Sequence, residues 1–220
     1  MTKEAVCARI KEFGIIPALR LRSAEDAMFA AEAVWSAGIP IVEVTMTIPG
    51  AVKVIHDLVR QNSEIIVGAG TPLDIDTAAR CLDAGASFLT STAFEPEMVN
   101  FANKKSVVVI PGACSPTEVY TAWKAGADFV NVFPCSAMGG SGYIRALKGP
   151  FPQIPMIASG GVNQQTASDF ILAGADALGI GRDLIHHDAV KRREKGWIQE
   201  LARRYVRMVN HSRQDLREIA

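Results

Sequence analysis

Several features that would assign a chemistry at once are missing from this 220-residue sequence. It has no charge imbalance, with 23 lysines and arginines against 23 aspartates and glutamates. That balance gives no attraction for a polyanion, so neither nucleic acid nor membrane is expected as a partner. No apolar run approaches the ~18 residues that a spanning helix needs. The segment from Met1 to Phe13 is mixed and charged, without the apolar centre of a secretion signal. Cys7, Cys81, Cys114 and Cys135 form no CxxC pair, which argues against zinc and fits a reducing cytoplasm. HxH and HExxH spacings are lacking too. His56 and the His186-His187 pair are therefore expected at the surface, and no metal site is expected. Without linkers or low-complexity tracts, the expectation is one soluble cytoplasmic domain over 1–220.

What the sequence does hold is apolar material, 49% of its residues, and a hidden repeat. Ala-Gly followed by an apolar run occurs at Gly38, Gly85, Gly126 and Gly174. Each glycine suits the left-handed position that ends a helix. The interval, roughly 40–50 residues, is long enough for two strand–helix units. The units between begin with short β-branched runs: Ile65 to Gly68, Val107 to Pro111 and Pro155 to Ser159. With Ile15 to Leu19, eight strands result. Amphipathic segments follow them over 24–37, 50–61, 73–84, 96–104, 116–125, 142–148, 163–173 and 189–211. Strict alternation of this kind predicts a (β/α)8 TIM barrel in preference to a doubly wound open sheet, because no switch point stands out. A helix over Thr2 to Glu12 would cap the barrel's bottom. The arginines of the last helix (Arg192, Arg193, Arg203, Arg204, Arg207) read as a solvated face.

In such a barrel, chemistry sits where strands end. Glu43 lies inside the apolar run IVEVT, where burial raises a carboxyl pKa towards a value useful for proton transfer. Arg20, at the end of the first strand, can pair with it or receive a substrate carboxylate in two parallel hydrogen bonds. Gly160-Gly161 and Gly179-Ile180-Gly181-Arg182, after the seventh and eighth strands, read as a phosphate cup: glycines admit close backbone N–H groups, helix starts add positive dipole ends, and Arg182 adds charge. The alternative is that these glycines only form tight turns. Thr71, in the GAGT segment, offers a hydroxyl. Cys135 reads as a small packed residue.

In order along the chain, PALR (17–20), EVTMTIPGA (43–51), VGAGT (67–71), IPGACSPTE (110–118), VFPC (132–135), LKGPFPQIP (147–155), SGGV (159–162) and GIG (179–181) resemble the KDPG/KHG aldolases. Those enzymes release pyruvate from 2-keto-3-deoxy-6-phosphogluconate or 4-hydroxy-2-oxoglutarate. The resemblance implies a small-molecule keto acid or phosphorylated keto-sugar acid as substrate, no cofactor, and a homotrimer. It also implies Glu43 as proton shuttle, Arg20 and Thr71 on the pyruvyl carboxylate, and Phe133 as a pocket wall. Gly160, Gly161 and Gly181 would take the distal phosphate. Ser159 stands where the family usually has threonine, and Arg182 where it usually has serine.

One departure changes the chemistry. The family's Schiff-base lysine directly precedes the segment matched by VFP, and here that position is Asn131. An amide nitrogen is not a nucleophile. Lys53, at the start of the second helix after the strands begin, is the one plausible substitute, whereas Lys104, Lys105, Lys124 and Lys148 fall away from the strand ends. Three readings stay open: an aldolase-type lyase working by other means, a silent phosphosugar or keto-acid binding protein, and a related enolising enzyme.

Overall fold

Side-chain caps start the helices where the sequence supplies them. In the computed structural model, which describes residues 1–219, Thr2, Ser23, Asp74 and Ser115 each accept the backbone N–H three residues on. These begin α1 (Lys3–Phe13), α2 (Ala24–Trp35), α4 (Ile75–Asp83) and α6 (Pro116–Lys124). At α6 the Glu118 carboxylate returns to the N–H groups of Cys114 and Ser115, completing a capping box. The remaining helices are α3 (Ala51–Gln61), α5 (Pro96–Lys104), α7 (Ser141–Lys148), α8 (Ala167–Leu172), α9 (His187–Lys191) and α10 (Lys195–Ile219).

Four helices end alike. Gly38, Gly85, Gly126 and Gly174 have φ between 96° and 103°. The residue after each glycine donates its N–H to a carbonyl five positions back, as in Ile39 to Val34 and Ala86 to Cys81. This is the Schellman closure that the Ala-Gly repeat anticipates, and it turns the chain directly into the next strand.

The strands are β1 (Ile15–Leu19), β2 (Ile41–Thr45), β3 (Ile66–Gly70), β4 (Phe88–Thr90), β5 (Val108–Ile110), β6 (Gly112–Ala113), β7 (Val130–Val132), β8 (Met156–Ser159) and β9 (Ala177–Ile180). All pairings are parallel, in the order β5-β4-β3-β2-β1-β9-β8-β7-β6. The fifth strand of the eight-strand reading is thus two pieces. Proline has no N–H to give a ladder, and Pro111 divides the stave so that β5 pairs with β4 and β6 with β7. The Pro111 carbonyl still accepts from Asn131 N–H at 2.8 Å, which draws the ring together. Inside, Val6 and Ile10 of α1 pack with Ile16, Ile41, Ile66, Phe88, Phe129 and Ile157, so α1 plugs the bottom. A larger apolar shell lies between strands and outer helices.

Two helix boundaries differ from the sequence reading. The expected helix over 189–211 is interrupted, because Arg193 adopts φ +56° between α9 and α10. Its guanidinium grips Glu25 at 2.6 Å and Asp26 at 2.7 Å on α2, over the Phe29 ring. Arg193 therefore pins the last helices to the barrel instead of belonging to a solvated face. The segment expected as helix over 163–173 begins late, since the Asn163 carboxamide oxygen accepts from Gln165 and Thr166 N–H groups and makes a turn first. Ala220, within the expected domain 1–220, lies outside the described residues.

Candidate active site

Parity along the staves decides what faces the interior. Ile41 and Glu43 share the inner face of β2, Phe88 and Thr90 that of β4, Phe129 and Asn131 that of the stave containing β7, and Ile157 and Ser159 that of β8. The lower residue of each pair belongs to the apolar cluster around α1. The upper residue opens on a cavity of about 270 Å³ at the carboxyl ends of the strands. The interior thus changes from apolar to polar one residue pair up, and that change creates the site.

Glu43 stands at the boundary. Burial raises its pKa above the ordinary 4.5, opposed by the Thr90 hydroxyl and by the charge of Arg20. Arg20 is exposed at the rim and acts at a distance, since no ion pair joins it to Glu43 among the described residues. The carboxyl group fits because β3 is bare beside it: a Cβ on Gly70 would overlap the Glu43 carboxylate. Gly68 likewise yields its space to the Phe88 ring.

Asn131 faces Glu43's cavity from the opposite side of the barrel and is tied at both ends. Its Nδ2 donates to the Ser91 carbonyl at 2.9 Å, and its Oδ1 accepts from Ser159 Oγ at 2.5 Å. The Ser91 carbonyl can only accept, which fixes the orientation of the carboxamide. One Nδ2 hydrogen is left over.

The rim holds the residues expected to form the phosphate cup. Phe133 and Gly160 line the cavity, and a Cβ on Gly160, whose φ is +79°, would crowd the Phe133 ring. Gly181 and Arg182 line it from the end of β9. Thr71 lines it with φ +58°, a conformation that costs a β-branched residue energy and is held here by its N–H bond to the Thr90 carbonyl at 2.7 Å. Strain of this kind concentrates at functional sites.

The cavity therefore brings together Arg20, Glu43, Thr71, Asn131, Phe133, Ser159, Gly160, Gly181 and Arg182. Gly161 lies outside its lining, exposed, with its carbonyl accepting from Ser136 Oγ at 3.0 Å. Thr90, Ser91, Thr92 and Asp183 line the cavity without having stood out as site residues in the sequence. For Thr90 the signal was available: it is two residues beyond Phe88 on the same stave. Asp183 had none, being one acidic residue in a loop. No lysine lines the cavity. Lys53 lies on the exposed side of α3, paired with Asp57 at 2.5 Å, so it is no substitute nucleophile. Lys148 is held by Asp176 and the Ile154 carbonyl. Among the described residues no three His, Cys, Asp or Glu side chains gather as a cation site. Nor is any helix long and apolar enough to cross a membrane. Cys135 is buried, and burial pushes its thiol up to about 11.

Known proteins share this arrangement along most of its length. The sequence profile of the family described as KDPG and KHG aldolase matches residues 6–201. A KHG/KDPG aldolase of Escherichia coli K12 is 30% identical over 193 residues, 87% of this chain and 90% of its own. A 2-dehydro-3-deoxy-phosphogluconate aldolase of Pseudomonas aeruginosa is 28% identical over 205 residues, 92% and 93% of the two chains. Among solved structures, KDPG aldolase from Legionella pneumophila, with pyruvate captured as a covalent carbinolamine intermediate, superposes with a TM-score of 0.83. It is 28% identical, covering 90% of this chain and 96% of the other. With the profile spanning all but the ends of the barrel, the chain belongs to the KDPG and KHG aldolase family of lyases.

Proposed function

We propose that this barrel binds a 2-keto acid of the KDPG or KHG type and acts through an enolate, with no Schiff base, on the bond between the carbon next to the ketone and the hydroxyl-bearing carbon beyond it. The observation that carries this reading is Asn131, which stands in the cavity without a lysine beside it and keeps one amide hydrogen free of the Ser91 and Ser159 contacts. A carbinolamine of the kind captured in the Legionella enzyme needs an amine, and Asn131 supplies none. What it supplies is a fixed N–H for an oxygen that becomes negative.

The reaction follows from the charges. Arg20 and the Thr71 hydroxyl hold the substrate carboxylate, and the glycines after β8 and β9, with Arg182, take the distal phosphate. Glu43 removes the proton of the hydroxyl on the carbon beyond the bond to be broken. That bond breaks, the aldehyde leaves, and the electron pair enters the ketone to give the enolate of pyruvate. Glu43 then returns the proton to the enolate carbon and pyruvate departs, so no atom or electron is unaccounted for. Following its family, the chain is expected to work as a homotrimer, which light scattering checks.

The test is pyruvate release from 2-keto-3-deoxy-6-phosphogluconate by this protein and by Asn131→Lys. Slow release by the protein and faster release by the lysine variant is the expected pair. Release by the variant alone would favour the second reading, a keto-acid binding protein, which the two-ended tethering of Asn131 also fits. Silence from both would overturn the aldolase chemistry.

A further inference from the structure

Glu43 needs something to aim it. A carboxyl group on a flexible stem transfers protons well only when one rotamer is held. On its own stave Thr45 is committed, donating to the Leu19 carbonyl and sharing a hydrogen with Thr47. The adjacent stave β3 has no side chain at that level, because its inward positions are Gly68 and Gly70. Gly70 pairs with Thr45 on one side and with Thr90 on the other. The space over Gly70 is taken by the Glu43 carboxylate. The next side chain across that space is Thr90, only 6% exposed and part of the same cavity wall. Thr90 on β4 and Glu43 on β2 line the same cavity, with the bare Gly70 in register between their strands.

We infer that Thr90 is a positioning residue for Glu43, holding the carboxyl group through its hydroxyl across the gap that Gly70 leaves in β3. The inference deepens the proposed function, since it rests on Glu43 as proton carrier. Two strands that do not touch each other are thereby joined at the point of chemistry, with a glycine as the condition. A larger residue at 70 removes the gap, and a residue without a hydroxyl at 90 removes the anchor. The charged groups facing the same cavity are Arg20, Arg182 and Asp183, so only Thr90 offers a short-range neutral donor from β4. Donation to the ionised carboxylate favours that form, which opposes the effect of burial.

The experiment is a titration of Glu43 by carbon NMR in the full chain labelled at glutamate, for the protein, Thr90→Val and Thr90→Ser. Solvent-deuterium exchange into the methyl group of pyruvate is followed against pH in the same samples. Valine keeps the shape of threonine without the hydroxyl, and Thr90→Ala takes its place should the valine variant not fold. The expected result is a Glu43 midpoint raised by at least about 0.5 in pH by valine and restored by serine. The exchange profile moves to higher pH with it. An unmoved midpoint in a folded Thr90→Val protein would overturn the inference, whatever happens to exchange. A moved midpoint with no exchange in any variant supports Thr90 as the anchor and refutes the enolate reading instead.

Discussion

A buried acid and a tethered amide define the site at the scale of single residues. Glu43 has its pKa raised in the folded chain, so the fold prefers its protonated form. The sign follows: stability from this group is fully present below 4.5, its ordinary value, and is lost as pH rises through the raised one. Glu43→Gln should therefore raise the melting temperature at pH 8 and have no such benefit at pH 4, by calorimetry at both. The same substitution should slow pyruvate methyl exchange by about 10²-fold or more, the usual cost of a missing general base, read by proton NMR. Activity that needs the carboxylate should rise with pH across the interval in which the stability contribution is lost. That opposition is the mark of a functional acid as distinct from a structural one, which an ion pair would stabilise at neutral pH. Asn131 differs in kind: two contacts hold its carboxamide and one amide hydrogen stays free, so its replacement tests the chemistry proposed for it.

The next scale is the element, where a helix end or a bare stretch of strand decides where these side chains stand. The α5 end repeats the Schellman closure of the four Ala-Gly ends with a serine in the left-handed position: Ser106 has φ +54°, and Val107 N–H reaches the Ala102 carbonyl. Ser106→Gly should then stabilise the protein by about 1 kcal/mol, the left-handed cost of a side chain. In a chain of this size that is a rise of about 2–4 °C in Tm. Gly70→Ala should do the reverse and disturb Glu43, because its methyl group falls on the carboxylate. The Ala-Gly ends were legible in the sequence because the closure is local: five residues determine it. Glu43 was legible as a charge inside an apolar run, whereas Val107 to Pro111 was read as one strand although its proline divides the stave. The break at Arg193 was not, because it depends on Glu25 and Asp26 far away in the chain. Nor was the role of Thr90, which requires knowing that Gly70 lies between β2 and β4 in register.

Over the whole molecule, the barrel keeps stability and chemistry at opposite ends. The α1 plug and the apolar layer above it close the bottom, and the polar layer begins one residue pair higher. Ile10, fully buried in that plug, should cost about 2–5 kcal/mol when cut to alanine, measured by denaturant unfolding. Keto-acid affinity at the mouth should be unchanged in the same variant. The cavity holds Asn131 and no lysine, and the central claim of the proposed function is that its groups activate the ketone without an amine. The most direct measurement is solvent-deuterium exchange into pyruvate, followed by borohydride reduction of the mixture and mass analysis of the intact chain. The account predicts exchange that depends on Glu43, with no pyruvate-derived mass fixed to the protein. Reduction that leaves such an adduct on a lysine would contradict it.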